Sequence, residues 1–399
     1  MTTKTYVCIA AVLCVVAVAS ARAQVPAPVD PPEPVKPLPP AEDSGVRTFA
    51  GSIQLDYLAI PTERNARQST FDGATTEISL RITKDFSKHA SATVKVCFAC
   101  HGFEAALGFV ELRAADELRI RVGRFTPAFG AFPARHDPAN HLTSDKPLPY
   151  DMGRMFARDI WNEGILPTPW VDNGIELAGT HFWSGGQLDY SAFLTSGPKG
   201  SPDAVDFDFT LSRAPEQYYV DNNSEPSVGG RAALTLELSD DAVVAIGASA
   251  MAGRYDPARA LSFVIAGVDA SFKRGRVAVR AEYLIRRTEM ALGDDPATRF
   301  KYGPENGKFD DYFVKDGFYV EGELPLGRVT LLGRWDGLRR LGNVLATSPL
   351  SSSTYVLRYT AGLAVQLQSR IQVKTSAELY QLGDLEDEVA LHLGVATAF

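Results

Sequence analysis

The clearest period along this chain is two. Between 371 and 379, Ile371, Val373, Thr375, Ala377 and Leu379 alternate with Gln372, Lys374, Ser376 and Glu378. The same alternation sets Ile78, Leu80 and Ile82 against Glu77, Ser79 and Arg81, and Val277, Val279, Ala281 and Tyr283 against Arg276, Arg280 and Glu282. Tyr355, Leu357, Tyr359, Ala361 and Leu363 repeat it opposite Arg358 and Thr360. Successive side chains of a strand point to opposite faces, so each run makes a ribbon that is apolar on one side and polar on the other. The pattern predicts sixteen strands, over 46–59, 71–85, 89–98, 103–113, 116–124, 171–183, 187–196, 226–239, 242–254, 260–272, 276–288, 312–323, 327–337, 353–367, 370–381 and 388–399. Many have ten or more residues, long for a soluble sheet and the length of a tilted membrane-crossing strand.

The predicted connections alternate between two classes. Seven are short: 86–88, 114–115, 184–186, 240–241, 273–275, 324–326 and 368–369. The others are read as long: 60–70, 99–102, 125–170, 197–225, 255–259, 289–311, 338–352 and 382–387. Short periplasmic turns and longer outer loops mark a single-chain outer-membrane barrel, whereas a soluble sandwich has no reason to sort its loops this way. Tyr57, Trp183, Tyr283, Trp335, Tyr380 and Phe399 lie near predicted strand ends, where aromatic girdles sit. The expected fold is therefore all-β: a transmembrane antiparallel β-barrel of about sixteen strands.

The segment before the barrel reads differently. Lys4 precedes an apolar run from Val7 to Ala19, and Ala21-Arg22-Ala23 offers small residues for cleavage before Gln24. That is a signal peptide over 1–23, and the run is shorter than the roughly 20 residues a bilayer helix needs. Residues 24–45 hold eight prolines and predict an extended periplasmic linker, with the barrel following over 46–399. A net charge of −8 argues against a nucleic-acid partner.

These features together resemble bacterial outer-membrane porins. The last strand, Val389-Ala390-Leu391-His392-Leu393-Gly394-Val395-Ala396-Thr397-Ala398-Phe399, alternates up to a terminal Phe and is similar to the signal read by the barrel-assembly machinery. The resemblance implies a Gram-negative outer-membrane location, outer-membrane lipid around the barrel, passage of small polar solutes, and a homotrimer.

Two places carry candidate chemistry. Cys97-Phe98-Ala99-Cys100-His101 has the spacing of c-type haem attachment, in which two thiols add to the haem vinyls and the histidine binds iron. Over these five residues the chain resembles a c-type cytochrome. A bound haem c implies electron transfer or redox sensing, with a periplasmic or surface cytochrome as partner. A Cys97–Cys100 disulfide in an outer loop and a metal site using His101 are the competing readings. Strand parity points Cys97 to the lumen.

The second place is the third long loop, which in porins folds into the lumen and narrows it. His136, His141, Met152 and Met155 are its candidate sixth ligands to a haem, and Arg135, Arg154 and Arg158 its candidate partners for the propionates. The competing reading is a polar constriction without iron. Arg81, Lys95, Arg119, Arg121, Glu176, Arg280, Glu282, Arg358 and Lys374 fall on the polar faces and are expected to line the pore. No catalytic motif is present, and no Ser–His pair compels a lipid hydrolase.

Overall fold

The computed structural model describes residues 46–60, 73–99, 102–151, 164–200, 209, 212, 219–301, 309–348 and 350–399. The signal peptide and the proline-rich linker expected over 1–45 lie outside these residues. The described chain forms sixteen strands. They are β1 (Val46–Ala59), β2 (Gly73–Ser87), β3 (Ala90–Ala99), β4 (Gly102–Ala115), β5 (Leu118–Phe125), β6 (Asp172–Trp183), β7 (Gly186–Thr195) and β8 (Ser227–Ser239). The second half comprises β9 (Ala242–Arg254), β10 (Ser262–Arg274), β11 (Val277–Glu289), β12 (Tyr312–Leu326), β13 (Val329–Gly342), β14 (Ser353–Gln368), β15 (Ile371–Leu382) and β16 (Glu388–Ala398). Each pairs antiparallel with its sequence neighbours, and β1 pairs with β16, so the sheet closes and leaves no edge. At the seam, the Phe399 and Gly51 backbones exchange two hydrogen bonds of 3.0 Å, and a side chain at Gly51 would collide with the Phe399 ring.

The alternation becomes two surfaces. Leu393, Ile246, Val268 and Leu55 point outward and are more than half exposed, while Arg358 and Lys374 point inward and are 0 % and 1 % exposed. Apolar outside and charged inside inverts a soluble protein, and hydrocarbon is the solvent for which that arrangement is stable. Among the described residues no helix is long and apolar enough to cross a membrane, and the strands make the crossing instead.

The strands lie where alternation predicts them. The largest departure is the end of β13, which runs to Gly342 rather than to 337. There Arg339 occupies an outward position and ends the apolar run before the strand itself ends. Seven two-residue turns join the strands at one end: 88–89, 116–117, 184–185, 240–241, 275–276, 327–328 and 369–370. Gly185, Gly275 and Gly327 adopt the positive φ that such turns demand. The other end carries long loops, with one correction. Only 100–101 separate β3 from β4, so this outer connection is as short as the periplasmic turns. Both ends of the predicted loop 99–102 belong to the strands, because Ala99 and Gly102 still pair with each other.

Candidate functional site

The longest connection is 126–171, and its described residues, 126–151 and 164–171, fold inward and reach opposite walls of the barrel. Three short 3-10 turns shape it, at Phe132–Arg135, Pro138–Asn140 and Leu148–Tyr150, each with Pro in its first turn. Its apolar side chains Phe129, Phe132, Leu148, Tyr150, Ile165 and Leu166 are buried against inward residues of the wall, among them Leu58, Ile265, Leu284, Tyr319, Leu338 and Val356. Part of the lumen thus contains a small hydrophobic core that fixes the loop's depth.

Charged groups fix its position. Glu282 on β11 accepts four bonds from it and around it: the Tyr150 and Tyr319 hydroxyls at 2.5 Å each, the Phe132 amide at 2.7 Å and the Ala131 amide at 3.1 Å. Burial, reinforced by the Glu282 carboxylate, pushes the Tyr150 phenol well above its ordinary value, so it stays a donor. Gly130 has φ +66°, and a Cβ there would strike the Tyr150 hydroxyl and Glu282. On the β6 side, Glu176 accepts the Ala128 amide at 2.9 Å and the Arg121 guanidinium at 2.7 Å.

The middle of the loop reaches the opposite wall. Lys95 on β3 meets Asp137 at 2.5 Å. Lys374 on β15 donates to the carbonyls of Pro138 and Thr143. Asp145 sits between Arg334, at 2.7 Å, and Arg358. Arg358 also grips Asp336, and its Nη2 reaches the Lys146 carbonyl at 2.6 Å. Burial alone would raise the Asp145 pKa, but Arg334 and Arg358 overcome it and hold the carboxyl far below its usual range. Desolvation likewise works to raise Asp137, and His136 and Lys95 hold it low.

The expected site residues separate into groups. Cys97 is half-buried on β3, opposite Ser79, which shares the inward face. Cys100, His101, Met152, Met155, Arg154 and Arg158 lie outside the described residues. His136 is turned into the loop: its Nδ1 lies 2.6 Å from the Pro133 carbonyl and its Nε2 lies 3.3 Å from Asp137. His141 packs on Phe132 at 5.9 Å, with neither ring nitrogen hydrogen-bonded among the described residues. Burial lowers both histidines below the ordinary imidazole value, His141 strongly, so both are neutral at pH 7. Arg135 pairs with Glu321 at 3.0 Å. Arg280 pairs with Glu323 at 2.5 Å. Arg81 and Arg119 project inward from β2 and β5, exposed, with no ion pair among the described residues.

What sequence reasoning left without a role is the loop's own side of each contact. Nothing in the sequence pattern singles out Asp137, Asp145 and Tyr150 on the loop, or Tyr319 and Asp336 on the wall. Their partners lie 22 to 213 residues away in sequence, a distance over which no local pattern carries a signal.

No protein-family model matches the chain, and no characterised protein matches it by sequence. Solved structures do match. The OmpF porin of Salmonella typhi, solved with daunomycin, superposes with a TM-score of 0.56 at 10% identity, over 88% of this chain and 97% of that one. An anion-selective porin from Comamonas acidovorans gives 0.54 at 11%, over 88% and 99%. The outer-membrane channel DcaP of Acinetobacter baumannii gives 0.52 at 10%, over 89% and 97%. This is a porin-like barrel of the outer membrane. At such identities the likeness lies in the fold, and the chemistry of the lumen must be read from this chain's own residues.

Proposed function

We propose that the protein is a diffusion channel for small polar solutes, with a preference for anions. One observation carries this reading. The inward loop engages Lys95, Arg334, Arg358 and Lys374, and wall carboxylates hold Arg231 and Arg280, yet Arg81 and Arg119 stay exposed and without carboxylate partners among the described residues. Arg121, a third cation on this wall, is shared between Glu176 and Glu111. Fixed cations in a narrow, low-dielectric passage raise the local anion concentration. The anion-selective Comamonas porin shows that this fold accommodates such a preference. Reconstitution in a planar bilayer under a KCl gradient tests it. Stepwise conductance with a reversal potential of the sign set by chloride is expected; no conductance, or cation selectivity, would overturn it. The homotrimer implied by the porin resemblance belongs to the same proposal and is checked by mass measurement in detergent.

A second reading rests on Cys97 to His101. Cys97 lies on the inward face, two residues from Lys95, and Lys95 draws in Asp137 with His136 beside it. The attachment thiol and one candidate axial histidine thus approach the same wall of the lumen. A haem held there would supply one-electron redox chemistry, and a cytochrome would be its partner. Haem staining after denaturing electrophoresis decides the matter, since covalent haem survives denaturation. A colourless band with two alkylatable thiols after reduction only would leave the Cys97–Cys100 disulfide.

A further inference from the structure

The outer wall of the barrel is largely apolar, which makes the charged groups on it informative: Arg287 on β11, paired with Glu289 at 3.2 Å, is one, and an ion pair lies on the next two strands. On β12 and β13, Asp316 and Arg339 are cross-strand partners on the lipid-facing side. They form a bidentate pair: Arg339 Nε donates to Oδ1 at 3.0 Å and Nη2 to Oδ2 at 2.7 Å. The Tyr283 hydroxyl adds a bond to Oδ2 at 2.8 Å. Asp316 is almost covered, while the Arg339 side chain is 56% exposed. Its Nη1 is not engaged by any described residue, and the fork fixes where that donor points.

Beside the pair runs a groove of about 360 Å³ on the same face, walled by Tyr283, Phe318, Tyr355 and Leu357. It is open at Gly337, where a Cβ would press on Leu357 and Phe318. Arg339 lies three residues below the outer end of β13, and so in the outer leaflet. A charged side chain facing hydrocarbon is most unfavourable at the bilayer midplane and is tolerated near the interface. A guanidinium held there, already partnered on one edge and unpartnered on the other, suits an anion arriving from the lipid side.

We propose that this face binds one phosphate-bearing lipid of the outer leaflet, with an acyl chain in the groove and the phosphate on Arg339. The groove belongs to the lipid-facing surface, so the bilayer supplies the chain. The spare guanidinium donors select the headgroup, because phosphate takes two parallel N–H bonds from arginine.

Native mass spectrometry of the whole barrel in detergent, titrated with phosphatidic acid, tests this. Arg339→Gln removes the anion donor. Leu357→Trp fills the groove at a lipid-facing position where aromatic residues are tolerated. Both are expected to lower the lipid adduct at least tenfold, while Ile246→Ala on the far wall leaves it unchanged. Diacylglycerol should give no comparable adduct, and inorganic phosphate should not displace the lipid. Each variant is first shown to migrate as a folded barrel on unheated gels. Adducts unaffected by either variant would overturn the proposal, as would equal binding of diacylglycerol or displacement by phosphate. So would loss of an oligomer in Leu357→Trp with lipid adducts intact, which would make the face a contact between copies of this chain.

Discussion

At the scale of single residues, the lumen is organised by a few side chains with many partners. Glu282 is the extreme case, since one carboxylate satisfies two phenols and two backbone amides. Each buried donor left without an acceptor costs about 1–3 kcal/mol, less where lumen water replaces it. Glu282→Ala is therefore expected to destabilise the folded barrel by about 2–4 kcal/mol, read as a lower unfolding midpoint in detergent. It should also release the Tyr150 turn and make single-channel currents noisier. Arg358→Ala is expected to be at least as severe, about 3–5 kcal/mol, because Asp145, Asp336 and Glu378 would face one another without it. Conductance unchanged in both variants would show that the loop is held by its apolar core alone.

At the scale of elements, the strands and the inward loop stood differently in the sequence. The strands could be read because their side chains face two solvents, so Lys374 between Val373 and Thr375 states its own geometry. The loop could be located by its length and order but not by its path. Asp145 and Arg358 are separated by 213 residues, and their union follows only once the sheet has closed. The loop's acids and histidines make its docking sensitive to pH. His136 and His141 have lowered pKa values, so the unfolded chain binds protons first as pH falls, and docking weakens from about pH 6.5 downward. Asp137 and Asp145 are also lowered. Their contribution is complete above the ordinary carboxylate range near pH 4 and is lost as pH falls through their folded values. Melting profiles between pH 7.5 and 5 should therefore decline, at up to about 1.4 kcal/mol per pH unit for each histidine. His141→Phe, aromatic and uncharged, should flatten that decline. An unaltered slope would remove His141 from the account.

At the scale of the whole molecule, function depends on which charges the loop leaves over. Replacing Arg81 and Arg119 together by Gln removes two exposed cations that hold no ion pair among the described residues, so the barrel's stability should change by less than about 1 kcal/mol. The reversal potential should shift towards zero, and the anion-to-cation permeability ratio should fall several-fold. The same substitution at Lys95 and Lys374 would alter the constriction itself, because both hold the loop.

The loop's contacts also have a mechanical meaning. They touch β6, β11, β3, β13, β14 and β15, which lie on different sides of a closed cylinder. A hollow tube flattens readily, but one with a strut fixed across its bore does not. The passage should therefore keep its cross-section as lateral pressure in the surrounding bilayer changes, and should have the same width in thick and thin membranes.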